Sequence, residues 1–207
     1  RLICFMNVMV NVGMRPQELL RLRWEDVRLR TEKEKIDGVR IEYKYTLYDI
    51  SAKVSKTDKA RTAVSANGEY GWVHIQQWKD VCEEFGFPVG QRDLIFAGKN
   101  DHSKPSDIPA YFRKTLIDLD LHSDSEGRKR SLYSFRHLFI DYAVKENRPI
   151  KAVRDNCGTS LRMLNDYYMS NDAWDMRHHL IRKGFYERAI KRADRTRTIE
   201  IVQQEDK

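Results

Sequence analysis

The chain has no apolar run that approaches membrane-spanning length, although hydrophobic residues make up 41% of its 207 positions. It has no N-terminal secretory pattern either. Arg1-Leu-Ile-Cys-Phe-Met begins inside an apolar periodic segment with no start methionine, so the chain reads as a fragment of a longer one. Its three cysteines, Cys4, Cys82 and Cys157, are widely spaced and odd in number. That excludes a disulfide framework or a zinc ribbon and favours reduced thiols in a cytosolic protein. No internal repeat or low-complexity block is present, and no carboxylate cluster or His/Cys spacing resembles a metal site. The adjacent His178 and His179 face different ways on a helix and read as surface residues.

What is present is positive charge. A formal charge of +7 favours a polyanionic partner without identifying one. The length supports a real core in a single domain or slightly more. The expected fold is α+β and mainly helical, with a small antiparallel sheet near residues 27–64. Leu2 to Val10 is a buried helix stopped at Gly13, and Pro16 suits the first position of a new helix. That places Arg15 at an N-cap, beside backbone N–H groups that favour a phosphate.

Val39 to Leu47 alternates as a strand does, and so does Ile50 to Val54. Lys56 to Arg61 then reads as a hairpin turn, with the next strand resuming at Thr62. Beyond Gly71 helices are expected at 73–85, 107–121, 132–146, 149–156, 160–169 and 173–193. Leu94 to Ala97 is a short extended stretch, and His122 to Arg130 is an exposed connection.

Four short motifs carry the chemistry: Gly13-Met-Arg15-Pro-Gln-Glu-Leu, Ser55-Lys56-Thr-Asp-Lys-Ala-Arg61, Leu132-Tyr133-Ser-Phe-Arg136-His137, and Gly158-Thr159-Ser160 with Tyr168. A guanidinium offers rigid paired donors to phosphate oxygens and stays charged at any working pH, and a tyrosine can carry a phosphoryl group covalently. In this order and spacing the motifs resemble those of the tyrosine recombinases, close to the phage-type integrases, over Gly13 to Tyr168.

The resemblance implies a catalytic domain over residues 1–195, truncated at its N-terminus, and a tail at 196–207. It implies a site-specific DNA recombinase that cleaves and rejoins strands through a 3′-phosphotyrosine, with neither ATP, metal nor other cofactor. Arg15 and Arg136 would bind the non-bridging oxygens of the scissile phosphate and stabilise its growing charge. Lys56 would protonate the departing 5′ oxygen, with Lys53 and Lys59 as neighbouring alternatives. Tyr168, ten residues after Gly158, would be the nucleophile, and Tyr167 would pack with Leu164.

Two positions depart from the family pattern. Tyr133 and Thr159 stand where relatives usually carry histidine. Their hydroxyls can donate to phosphate, but neither is an imidazole base. His137 is expected to pack beside the site. The implied partners are double-stranded DNA and further copies of the chain, as a tetramer in the full-length protein. The implied location is cytoplasmic, in a bacterial or phage context, away from any membrane. A nicking and rejoining enzyme of topoisomerase or resolvase type, and a DNA-binding relative that has lost catalysis, are the competing readings.

Overall fold

The computed structural model describes residues 1–56 and 58–168, with the side chains of Tyr167 and Tyr168 not described. The expected helix at 173–193, its apolar stripe of Ile181, Phe185, Ala189 and Ile190, the histidine pair and the tail lie outside the described residues.

Seven helices and one sheet are described. Helix α1 (Leu2–Val12) is capped by Gly13 in the left-handed conformation, with φ 68° and its N–H donating to the Met9 carbonyl at 3.0 Å. A Cβ at this position would also stand 2.3 Å from Phe139 Cδ1, so glycine is required both for conformation and for space. Pro16 opens the four-residue helix α2 (Pro16–Leu19), with Arg15 at its N-cap as its missing N–H predicts.

A 3₁₀ turn at Trp24–Asp26 leads into strands β1 (Val27–Ile36), β2 (Val39–Ile50) and β3 (Arg61–Val64), ordered β1-β2-β3 and antiparallel throughout. β1 pairs with β2 from Val27↔Tyr48 to Ile36↔Val39, while β3 reaches only Leu47 to Ile50. The expected strand continuing through Ile50–Val54 is corrected: β2 ends at Ile50. The Val54 and Ser55 N–H groups both turn back to the Ser51 carbonyl, at 3.1 and 3.0 Å. Lys56 therefore sits on a connection spanning 51–60 rather than in a tight hairpin.

Helices α3 (Tyr70–Glu84), α4 (Ile108–Asp118), α5 (Tyr133–Lys145), α6 (Ile150–Cys157) and α7 (Leu161–Tyr168) follow. Among the described residues no helix is long and apolar enough to cross a membrane.

Two apolar clusters form. The larger joins α1, α3, α4 and the sheet around Phe5, Trp78 and Phe96; Phe5 meets Phe96 edge-on at 5.1 Å, and Trp78 stacks on Phe96. Burial of such aromatic area is the main source of stability here. The smaller cluster gathers Phe139, Ile140, Ala143, Val144, Val153, Cys157 and Leu164 from α5, α6 and α7. Polar side chains cross the gap between them. All three cysteines are free and buried, and burial pushes the Cys157 thiol up to about 11.

Candidate active site

The site grows from two glycine carbonyls and one helix end. Gly13 closes α1, and Gly158 closes α6 with φ 63°. Arg136, on the buried face of α5 and 3% exposed, donates from Nη1 to the Gly13 carbonyl at 2.7 Å and to the Cys157 carbonyl at 2.6 Å. Arg15 donates from Nη2 to the Gly158 carbonyl at 2.6 Å. Arg61, the first residue of β3, donates from Nε to the Asn156 carbonyl at 3.2 Å and from Nη2 to the Cys157 carbonyl at 3.3 Å. The final carbonyls of a helix have no partner within it and form its negative end. Three guanidinium groups satisfy them here.

One carboxylate sets the arrangement. Glu18, 1% exposed, accepts from the Arg15 backbone N–H at 2.8 Å and from Arg15 Nη1 at 3.0 Å. It also accepts a two-pronged contact from Arg61 Nη1 and Nη2, at 3.0 and 2.7 Å. Burial alone would raise the Glu18 pKa. Hydrogen bonds from Arg61 and the Arg15 backbone, with both charges, outweigh it and hold the pKa below its ordinary value. Arg15 stands at the α2 N-cap as expected, with its own N–H taken by Glu18.

Asn156 completes the frame. Its side chain accepts from the Val64 N–H at 2.7 Å and donates to the Val12 and Val64 carbonyls at 2.8 and 3.3 Å, tying α6 to α1 and β3. Glu18, Arg61 and Asn156 escaped the sequence reading. Arg61 was in view only as the end of a turn, and Glu18 only as a first-turn acid. Only Glu18 left a signal, a full charge at a helix position among apolar neighbours.

Beside this network opens a cleft of about 830 Å³ whose wall carries Arg15, Lys56 and Tyr133. Lys56 is exposed on the 51–60 connection. Tyr133, in the first turn of α5 and 40% exposed, lies with its ring 5.8 Å from Arg136 Cζ. The structure thus brings Arg15, Arg136 and Gly158 together and places Arg15, Lys56 and Tyr133 around one cleft. Arg136 and Thr159 are not on the cleft wall; Thr159 is half-buried, with its N–H bonded to the Arg154 carbonyl at 3.1 Å. Tyr168 ends α7, and its side chain, like the packing of Tyr167, lies outside the described residues. His137 is exposed, its ring 5.4 Å from that of Tyr133; partial burial and the Arg136 charge lower its pKa.

Two guanidinium groups, those of Arg15 and Arg61, are thus oriented by one buried acid beside an open cleft on a mainly helical α+β scaffold. The chain belongs to the phage integrase family, whose family model matches residues 1–173. Solved structures share the fold. The XerH site-specific recombinase bound to difH substrate, in a pre-cleavage complex, is similar with a TM-score of 0.60 and 17% identity, over 90% of this chain and 47% of that one. The Tn1549 transposon integrase in complex with circular intermediate DNA gives 0.56 and 16%, over 86% and 56%. The XerA recombinase gives 0.53 and 15%, over 84% and 53%. The chain spans about half the length of these proteins. Comparison with curated proteins gave no match.

Proposed function

We propose that this chain is the catalytic part, over residues 1–195 and followed by a tail at 196–207, of a site-specific recombinase that exchanges strands of double-stranded DNA. The reading rests on the convergence of Arg15 and Arg136 on the carbonyls of Cys157 and Gly158, ten residues ahead of Tyr168. In the proposed reaction the Tyr168 phenol releases its proton to solvent water, its oxygen attacks phosphorus, and the bond from phosphorus to the 5′ oxygen breaks. Lys56 gives that oxygen its proton. Arg15 and Arg136 hold the non-bridging oxygens as charge grows on them, and the Tyr133 and Thr159 hydroxyls donate further hydrogen bonds. One phosphodiester replaces another, so bond energy is retained and the resolving step is the same reaction in reverse.

The DNA partner is supported by the DNA complexes of the XerH and Tn1549 proteins; self-assembly on DNA, as a tetramer in the full-length protein, belongs to the same reading. A DNA-binding relative without catalysis is the second reading. It is favoured by Tyr133 and Thr159, which give the site no imidazole at the two positions where relatives use one.

A nicked duplex that loses its short 5′ fragment on cleavage traps the adduct and separates the two. Covalent protein–DNA product with the unaltered chain and with Tyr167→Phe, and none with Tyr168→Phe, is the expected result. Adduct mapped to Tyr167 overturns the nucleophile, and duplex binding with no adduct from the unaltered chain establishes the silent reading.

A further inference from the structure

The cations on the cleft wall fall into two groups, and only one belongs to the network around Glu18. Arg21, Arg113 and Lys129 also face the cleft and form no ion pair among the described residues. Many cations elsewhere on the surface are ion-paired. Lys114, next to Arg113 on α4 but away from this cleft, meets Asp118 at 3.0 Å, and Arg28 meets Asp49 at 2.8 Å. Gathering unpaired like charges costs energy through mutual repulsion, which a polyanion relieves on binding.

The loop that presents part of this group is built rather than loose. The Asp124 carboxylate accepts from the backbone N–H groups of Glu126 and Arg128 at 3.0 and 2.9 Å, and from Arg128 Nε at 2.7 Å. Gly127 takes the positive φ of 77° that the turn needs. A bridge joins Ser123 to Lys129, and the Arg130 N–H donates to the His122 carbonyl at 2.8 Å. The result is a small closed hairpin. Its tip cation, Arg128, is neutralised by Asp124 and Glu126. Its two legs instead put His122, Lys129 and Arg130 on the cleft wall across from Arg15 and Lys56. Arg130 spends Nη1 on the Leu121 carbonyl at 2.9 Å, which fixes its stem and leaves further donors.

We infer that the His122–Arg130 hairpin, with Arg113 of α4, is a second phosphate-binding element that grips backbone phosphates of duplex DNA flanking the reacting one, a separate phosphate for each of Arg113, Lys129 and Arg130. The inference rests on the reading of the chain as a DNA recombinase and assigns these residues to holding the substrate rather than to the reaction. Phosphate contacts of this kind fix register and are independent of base sequence.

The test uses the full chain and a duplex of random sequence, with affinity followed by fluorescence anisotropy against salt. Each phosphate contact contributes about 0.9 to the slope of log affinity against log salt. Lys129→Gln with Arg130→Gln should flatten the slope by roughly 1.8, and Arg113→Gln by about 0.9, with the melting temperature unchanged. Lys114→Gln, at a neutralised cation outside the cleft, should leave it alone. Adduct formation at saturating DNA should stay within about twofold of the unaltered chain in all of them. An unchanged slope in the Lys129/Arg130 variant of a chain that does bind duplex overturns the hairpin's role, as does a saturating rate that falls as far as affinity. No duplex binding by the unaltered chain overturns the recombinase reading itself.

Discussion

The Glu18 carboxylate orients two guanidinium groups at once, and removing its charge tests how far they depend on it. Glu18→Gln keeps the volume, but it exchanges an acceptor for a donor facing Arg61 and leaves two half-buried cations without a counter-charge. Breaking one partner of such a buried pair typically costs about 3–5 kcal/mol. A loss of roughly 3 kcal/mol is expected by urea denaturation, with adduct formation falling as Arg15 loses its orientation. A loss below about 1 kcal/mol would show that Glu18 is dispensable as an anchor. The sequence showed Arg15 and Arg136 because each sits in a local motif of fixed spacing. It hid the Glu18–Arg61 pair because the two lie 43 positions apart and each has an ordinary local explanation. It also hid the burial of Arg136, since nothing in Tyr133-Ser-Phe-Arg136-His137 says which face of the helix the core will take.

At the level of elements, helix α6 is held by its last turn. Only Val153 and Cys157 of its residues are buried in the smaller apolar cluster, while Asn156 and the three terminal carbonyls supply polar ties to α1, α2, α5 and β3. Asn156→Ala leaves the Val12 carbonyl, in a part-buried contact, without its partner, at about 1–3 kcal/mol for such a group left unpaired, while the exposed Val64 N–H can turn to water. A loss of roughly 2 kcal/mol is expected, with faster amide hydrogen exchange in α6 than in α3; unchanged exchange in α6 would remove Asn156 from this role.

The helices and their order were readable because apolar residues recur at helical spacing and Gly13, Pro16 and Gly158 mark ends. β1 was not readable as a strand. Val27-Arg-Leu-Arg-Thr-Glu-Lys-Glu-Lys-Ile alternates little, most of its positions are exposed, and its shape comes from pairing with β2 rather than from a face buried in a core. The run Ile50 to Val54 misled in the opposite direction, since its alternation crosses a turn where no partner strand follows.

For the molecule as a whole, stability should form a plateau in pH with two falling sides. Glu18 and His137 both have folded pKa values below their ordinary 4.5 and 6.5. Each therefore contributes stability that is present above those values and lost as pH falls through the folded ones. The buried thiols act on the other side. Cys4 is pushed from 9.0 to about 12, and Cys82 and Cys157 from 9.0 to about 11, so their contribution is present below pH 9 and lost as pH rises through the folded values. The Arg1 amino group, held below its ordinary 8.0 by burial, acts in the same sense as Glu18 and His137. Urea midpoints under reducing conditions should therefore be highest between about pH 8 and 9 and decline on both sides, with Glu18→Gln weakening the decline below pH 4.5. A midpoint constant up to pH 11 would contradict the alkaline side.

The guanidinium groups that cap α6 have a further consequence for how the protein can change over generations. Substitutions that turn the donors of Arg15 or Arg136 more fully toward a phosphate withdraw them from the carbonyls of Cys157 and Gly158. Gains in turnover would then be drawn from the attachment of the helix pair that carries Tyr168. A lineage can escape that exchange by recruiting a new donor for the Gly158 carbonyl, since Arg61 already donates to that of Cys157.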